Sequence, residues 1–283
     1  MATFTNKATL SYNGGTVDSN TVTGELLEVL TITKTAITTE YTDGDTITYA
    51  VSLINTGAVP LTALTLTDDL GAYTFGTATL VPLTYVAGSA TYYVNGVLQA
   101  APTVTTTSPL TITGITIPAG GNALLIYETQ ANGFAPPETG GSITNTATAA
   151  GGGIATPISD TSVVTAEQQA ALTISKSLYP ATVTENGQLT YTFVIENTGN
   201  TAALATDNIV VTDTFTPVLD AITVTYNGTA WTAGVNYTYD ATTGAFATLP
   251  GQITVPAATY TQNPDGSYTV TPGTAVLTVT GTV

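Results

Sequence analysis

The chain has 283 residues, 19 acidic against 3 basic, a formal net charge of −16, and neither His nor Cys. Three cations cannot displace the counterions of a nucleic acid or build a clamp for phosphates. Without His and Cys there is no conventional zinc or copper site, no thiol nucleophile, no Ser-His-Asp triad and no disulfide. Apolar residues at 43%, with 15 Tyr and 6 Phe, argue for packed cores over a solvated tail. The length favours two domains, or one large all-β domain. The start, MATFTNKATLSY, lacks a cationic stretch followed by an apolar core, so no signal peptide is visible; either the chain is not exported by the Sec route, or this is a processed or recombinant form. No run approaches the ~18 apolar residues of a membrane helix, so membrane insertion is not expected.

In chain order the predicted elements are strands. LTITKTA (30–36), DTITYAVSLI (45–54), LTALTLTDDL (61–70) and NALLIYETQ (122–130) alternate Thr, Val, Ile and Tyr with apolar positions between Gly, Pro, Asn and Asp breaks. Asn95-Gly96 and Asn227-Gly228 predict tight hairpin turns, because both residues accept positive φ. AEQQAAL (166–172) has a helix-like composition but runs into a strand and reads as linker. The fold class is all-β, two tandem antiparallel β-sandwiches preceded by an N-terminal donor strand. The expected boundaries are 1–26 for the donor strand and connector, 27–165 for the first repeat and 166–283 for the second.

An internal repeat defines these boundaries. Residues 30–57 align without a gap to 172–199, placing Lys34 on Lys176, Tyr49 on Tyr191 and Asn55-Thr56-Gly57 on Asn197-Thr198-Gly199. After a three-residue insertion LTLTDDL matches IVVTDTF, placing Asp68 on Asp213, and 117–130 matches 270–283. The first copy then continues into at least one more strand, 143–149, while the second copy stops at Val283. A segment resembling that closing strand sits instead at the start: FTNKATLSYNGGTVDSNTVTG (4–24) aligns with residues 143–166, with Asn6 on Asn145, Ala8 on Ala147 and Val22 on Val164. One closing strand is spare and one groove is open. An unpaired sheet edge is an aggregation hazard, so residues 4–10 of one subunit are expected to fill domain two of its neighbour by strand addition. The alternative is a fold-back onto domain two of the same chain. Exchange between subunits is head to tail and makes a ring or an open filament.

The two-residue strand period then puts polar groups on apolar faces. Leu30, Ile32, Lys34 and Ala36 share a face, as do Leu172, Ile174, Lys176 and Leu178. Asp68 falls with Leu64, Leu66 and Leu70, and Asp213 with Ile209, Val211 and Phe215. Asn145 falls with Ile143, Ala147 and Ala149, and Asn6 with the donor residues Phe4, Ala8 and Leu10. Burial lowers a lysine pKa and raises an aspartate pKa, giving a neutral amine beside a protonated acid. Such an amine can attack the Asn side-chain carbonyl with Asp as proton shuttle, releasing ammonia and leaving an isopeptide bond. The expected pairs are Lys34–Asn145 within a chain, assisted by Asp68, and Lys176–Asn6 between chains, assisted by Asp213. The competing reading is a buried Lys–Asp ion pair with Asn as hydrogen-bond partner. Lys7 alternates outward and reads as a solvated cation.

The pattern of Lys in a first strand followed by G-D-T-I-T-Y, N-T-G, T-D-x-L and I-T-N-T-A-T resembles the bacterial surface-protein repeat known as domain of unknown function eleven. The resemblance implies Ig-like, collagen-adhesin-like sandwiches in surface proteins, some of which carry Lys–Asn bonds assisted by Asp or Glu. A two-repeat chain of this kind also resembles the appendage proteins of clostridial-type endospores, which implies assembly onto the spore without a signal peptide. The reading is a self-assembling extracellular filament subunit, with itself as partner and no turnover activity. A surface adhesin or S-layer-type binding module is the alternative. Asp68-Asp69, Asp43-Gly44-Asp45 and Asn263-Pro264-Asp265-Gly266 lack the spacing of known calcium loops and read as turns, so no metal or cofactor is expected.

Overall fold

The computed structural model describes residues 2–283. They divide into two compact units, one holding residues up to Asn132 and Ile143–Val164, the other Gly133–Ser142 and Thr165–Val283. The first residues form an arm of four short strands, β1 (Ala2–Asn6), β2 (Thr9–Tyr12), β3 (Gly15–Asp18) and β4 (Val22–Leu26). β1 pairs antiparallel with β4, Asn6 opposite Val22, and β2 pairs with β3, Thr9 opposite Asp18. The single donor strand expected over residues 4–10 is therefore broken at Lys7-Ala8 and belongs to a hairpin. Phe4, Leu10, Tyr12, Val17 and Val22 are all more than half exposed.

The main strands of unit 1 are β5 (Leu30–Ala36), β6 (Thr46–Asn55), β7 (Leu61–Asp68), β8 (Leu110–Ile117), β9 (Asn122–Ala131), β10 (Ser142–Gly151) and β11 (Ile158–Ala166). One six-stranded sheet carries Val97–Leu98, Thr91–Val94, β9, β6 and β5 in that order, with Leu83–Tyr85 also on β9. The other runs Thr103–Thr107, β8, β7, β10, β11, Glu40–Tyr41. Ile47, Tyr49, Val51 and Leu53 of β6 and Ala123, Leu125 and Tyr127 of β9 alternate inward and are fully buried. Each large apolar side chain so buried contributes about 1.5–3 kcal/mol, which fixes the register, since a slip of one residue would expose the set. The closing segment is two strands, β10 and β11, where the sequence marks the first plainly and the second only weakly.

Unit 2 repeats the first sheet and truncates the second. β12 (Leu172–Tyr179), β13 (Gln188–Asn197) and β16 (Gly273–Thr282) lie adjacent, followed by Asp220–Tyr226 and Thr229–Trp231. β14 (Thr212–Thr214) and β15 (Ala245–Thr248) join Tyr237–Asp240 in a three-stranded sheet with β14 at its edge. No regular element spans residues 167–171. The pairing Tyr49–Tyr127 in unit 1 corresponds to Tyr191–Val279 in unit 2. The repeat at the last strand is thus offset by one residue from the alignment of 117–130 with 270–283, and Val279 replaces Tyr127. Both Asn-Gly turns form as expected, Asn95 and Gly96 at φ 49° and 79°, Asn227 and Gly228 at 47° and 77°.

The repeated Asn-Thr-Gly motif also acquires a structural role. Fully buried Asn197 donates to the carbonyls of Thr201 (2.8 Å) and Pro256 (3.0 Å) and accepts from the amides of Ala171 and Gly199, both at 2.9 Å. Asn55 makes the matching bonds to Val59 and Pro118 and accepts from Gly57. Asn197→Ala strands several buried backbone groups and is expected to destabilise unit 2 by about 3 kcal/mol. A lowered urea midpoint for that unit, with unit 1 unchanged, checks it.

Candidate crosslink sites

In unit 1 the strand period delivers all three predicted polar groups to one place in the core. β5 brings Lys34, β7 brings Asp68 and β10 brings Asn145; Lys34 is 4% exposed and the other two are fully buried. Lys34 Nζ donates to Asp68 Oδ2 at 2.5 Å and lies 4.6 Å from the centre of the Tyr49 ring. β10 runs beside β7 with Ala147 opposite Asp68, so Asn145 enters from the same face two residues away. Its Oδ1 accepts the backbone N–H of Gly71 at 3.2 Å, while its Nδ2, buried near the Tyr49 hydroxyl, makes no well-formed hydrogen bond.

Three contributors were not read from the sequence. The Tyr127 hydroxyl donates to Asp68 Oδ2, the oxygen that Lys34 also uses, and Leu70 N–H binds Oδ1 at 2.8 Å. An inward Tyr in an apolar strand reads as core packing, and nothing in its spacing announces the hydroxyl's partner. Gly71 acts through its backbone. It has φ +72°, and a Cβ there would meet Ile143 at 2.4 Å, so glycine is required both by conformation and by space.

The electrostatics are those of a charge taken out of water. Burial pushes the Lys34 amine below its ordinary value of 10.5, opposed chiefly by the neighbouring Asp68. Burial likewise raises the Tyr49 and Tyr127 hydroxyls, so both stay protonated at neutral pH. This arrangement can present a neutral amine, a carboxyl group to move its proton, and an amide whose oxygen is held by an N–H and whose nitrogen is in no well-formed hydrogen bond. The sign of the lysine shift gives a pH dependence. Between the lowered folded value and 10.5 the unfolded chain binds more protons, so an uncrosslinked unit 1 gains stability as pH rises through that window. Asn145→Ala, which has no amide to react, is expected to show a urea midpoint for unit 1 that rises with pH below 10.5, and the rise should be absent from the double variant Lys34→Ala/Asn145→Ala, which lacks the titrating amine.

In unit 2 the same lysine and aspartate meet, and the third group does not. Lys176 Nζ donates to Asp213 Oδ2 and sits 4.4 Å from the Tyr191 ring and 5.5 Å from those of Phe193 and Phe215. The Lys176 and Asp213 side chains are 40% and 17% exposed, against 0% and 1% for Lys34 and Asp68. Among the described residues no strand pairs with the outer edge of β14, where β10 lies in unit 1. Every residue of β12 is exposed, including Leu172, Ile174 and Leu178. Asn6 stays in the arm opposite Val22, and Lys7, solvent-exposed, pairs with the equally exposed Asp18 at 2.6 Å.

Asp45 and Asp265 cap their own turns, accepting from Thr42 and Ser267. Among the described residues no group of three or more carboxylates could hold a metal ion.

These features define a pair of antiparallel β-sandwiches, one closed around a Lys–Asp–Asn trio and one open beside a Lys–Asp pair. No protein-family model matches the sequence, and no curated protein matches it. Solved structures similar to the chain include BcpA, the major pilin subunit of Bacillus cereus, at 14% identity over 96% of this chain and 73% of that one, with a TM-score of 0.35. The pilus backbone RrgB of Streptococcus pneumoniae matches at 11% identity over 86% of this chain and 55% of its own, TM-score 0.34. The full-length major pilin SpaD of Corynebacterium diphtheriae matches at 11% over 85% and 58%, TM-score 0.35. The chain spans less than two thirds of the latter two.

Proposed function

We propose that this chain is the subunit of a surface filament that grows head to tail. The N-terminal arm of one subunit fills the open edge beside β14 of the next, and Lys–Asn bonds form between Lys34 and Asn145 within a subunit and between Lys176 and Asn6 across the junction. The observation that carries this reading is the contrast between the two repeats: the same Lys–Asp pair is sealed under β10 and β11 in unit 1 and left partly exposed in unit 2. The spare segment resembling the closing strands lies at residues 4–24.

The chemistry follows from the buried trio. Lys34 passes a proton to Asp68, and the neutral Nζ attacks Cγ of Asn145. Gly71 N–H steadies the oxygen as charge develops on it. Asp68 returns a proton to Nδ2, the Cγ–Nδ2 bond breaks, ammonia leaves with the second amine proton, and a secondary amide joins the side chains. Each site reacts once, so the protein is not an enzyme with turnover. Lys176 and Asp213 would follow the same course once Asn6 and the arm exclude water. A surface location, on an endospore in particular, rests on the resemblance of the repeat pattern. Truncation of the arm, developed in the Discussion, tests the assembly.

A further inference from the structure

Unit 1 is closed by two strands, and the second performs a task the first cannot. β11 presents Asp160 and Ser162 toward β5, where Asp160 Oδ2 accepts the backbone N–H of Lys34 at 2.7 Å and Ser162 Oγ accepts that of Ala36 at 3.0 Å. β5 is the last strand of its sheet, and β6 uses only its alternate amides. The two side chains therefore tie the free edge of one sheet to the other and cap the strand that carries the lysine.

β12 has the same relation to β13, with Lys176 opposite Phe193 as Lys34 is opposite Val51. The amides of Lys176 and Leu178 accordingly face away from β13. The alignment that places Val22 on Val164 also places Asp18 on Asp160 and Asn20 on Ser162. Both positions keep a side-chain acceptor.

We infer that the donor is the whole hairpin of residues 4–24, and that Asp18 and Asn20 accept hydrogen bonds from the Lys176 and Leu178 backbone N–H groups of the next subunit. This rests on the strand-exchange reading above and specifies how the junction is closed. It also requires the arm to change register. In the closing hairpin of unit 1, Thr146 meets Thr161 and Thr148 meets Ser159. Transferred to the arm, these pairs become Lys7 with Ser19 and Thr9 with Val17. In the free arm Thr9 lies opposite Asp18, whose carboxylate is held by Lys7 at 2.6 Å and by the Thr9 hydroxyl at 2.7 Å. Docking exchanges those exposed contacts for two backbone amides on β12.

The test compares full-length wild type, the double variant Asp18→Val/Asn20→Val, and Lys7→Ala, by light scattering during assembly and amide exchange of residues 172–179. Wild-type assembly is expected to protect that segment. The double variant should assemble about tenfold slower or worse and leave the segment exchanging as in the monomer. Lys7→Ala, which frees Asp18 and keeps it, should assemble at least as fast as wild type. A double variant equal to wild type in rate and protection overturns the hairpin lock and leaves strand exchange standing. Lys7→Ala slowed as much as the double variant would also overturn it, assigning Asp18 to the arm's own ion pair. A wild-type chain that never assembles removes the underlying reading as well.

Discussion

Removal of residues 1–12 is expected to leave a folded chain that stays monomeric under conditions where the full chain is expected to assemble into filaments. Among the described residues the arm's strands pair only with one another, and its large apolar side chains are exposed. Its loss therefore strands no core residue, and the thermal unfolding of both units should be unchanged. Under the proposed exchange, assembly would lose the strand that pairs with the edge of β14 and the side chains of Phe4 and Leu10. Fully burying two such side chains is worth about 1.5–3 kcal/mol each, before any backbone hydrogen bonds along the edge. Size-exclusion chromatography with light scattering, and electron microscopy of the same samples, give the answer. Filaments from the truncated chain would eliminate strand exchange through this arm.

The second large effect separates the two crosslinks. Lys176→Ala filaments are expected to fall apart in boiling detergent to monomers, each still lacking one ammonia from the Lys34–Asn145 site. Lys34→Ala should keep the detergent-resistant ladder and lose the intrachain bond. Compared with the uncrosslinked Asn145→Ala chain, it also leaves Asp68 buried without its cation, so unit 1 should be about 3–5 kcal/mol less stable than in that variant. Lys176→Ala should disturb its own unit far less, because that pair is partly solvated in the free subunit. The asymmetry between two aligned lysines is itself diagnostic: burial sets the penalty, and only unit 1 is closed.

Much of this was legible because strands alternate with a period of two and the chain is nearly free of charge. Lys34, Asp68 and Asn145 stand out as polar residues on faces otherwise made of Leu, Ile and Ala, and the fold brings them together in unit 1. Strands 30–36 and 122–130 were equally clear, bounded by turns and rich in β-branched residues. Tyr127 was not, since its inward position explains it as core before any hydroxyl contact is considered. Gly71 works through a backbone N–H, which no side-chain pattern reveals. The one-residue offset that replaces Tyr127 by Val279 was hidden because both strands keep an apolar alternation. β11 escaped because only Val164 and Ala166 of it are fully buried, while its contribution is made by Asp160 and Ser162 to the backbone of another sheet.

The most direct measurement is the intact mass of wild-type filaments boiled in detergent, with the ladder resolved by electrophoresis. The expected result is a series of multimers whose masses fall short of whole multiples of the chain by one ammonia per subunit and one more per junction, with Lys176 joined to Asn6 in the fragment spectrum. A single band at the unmodified monomer mass would contradict both bonds.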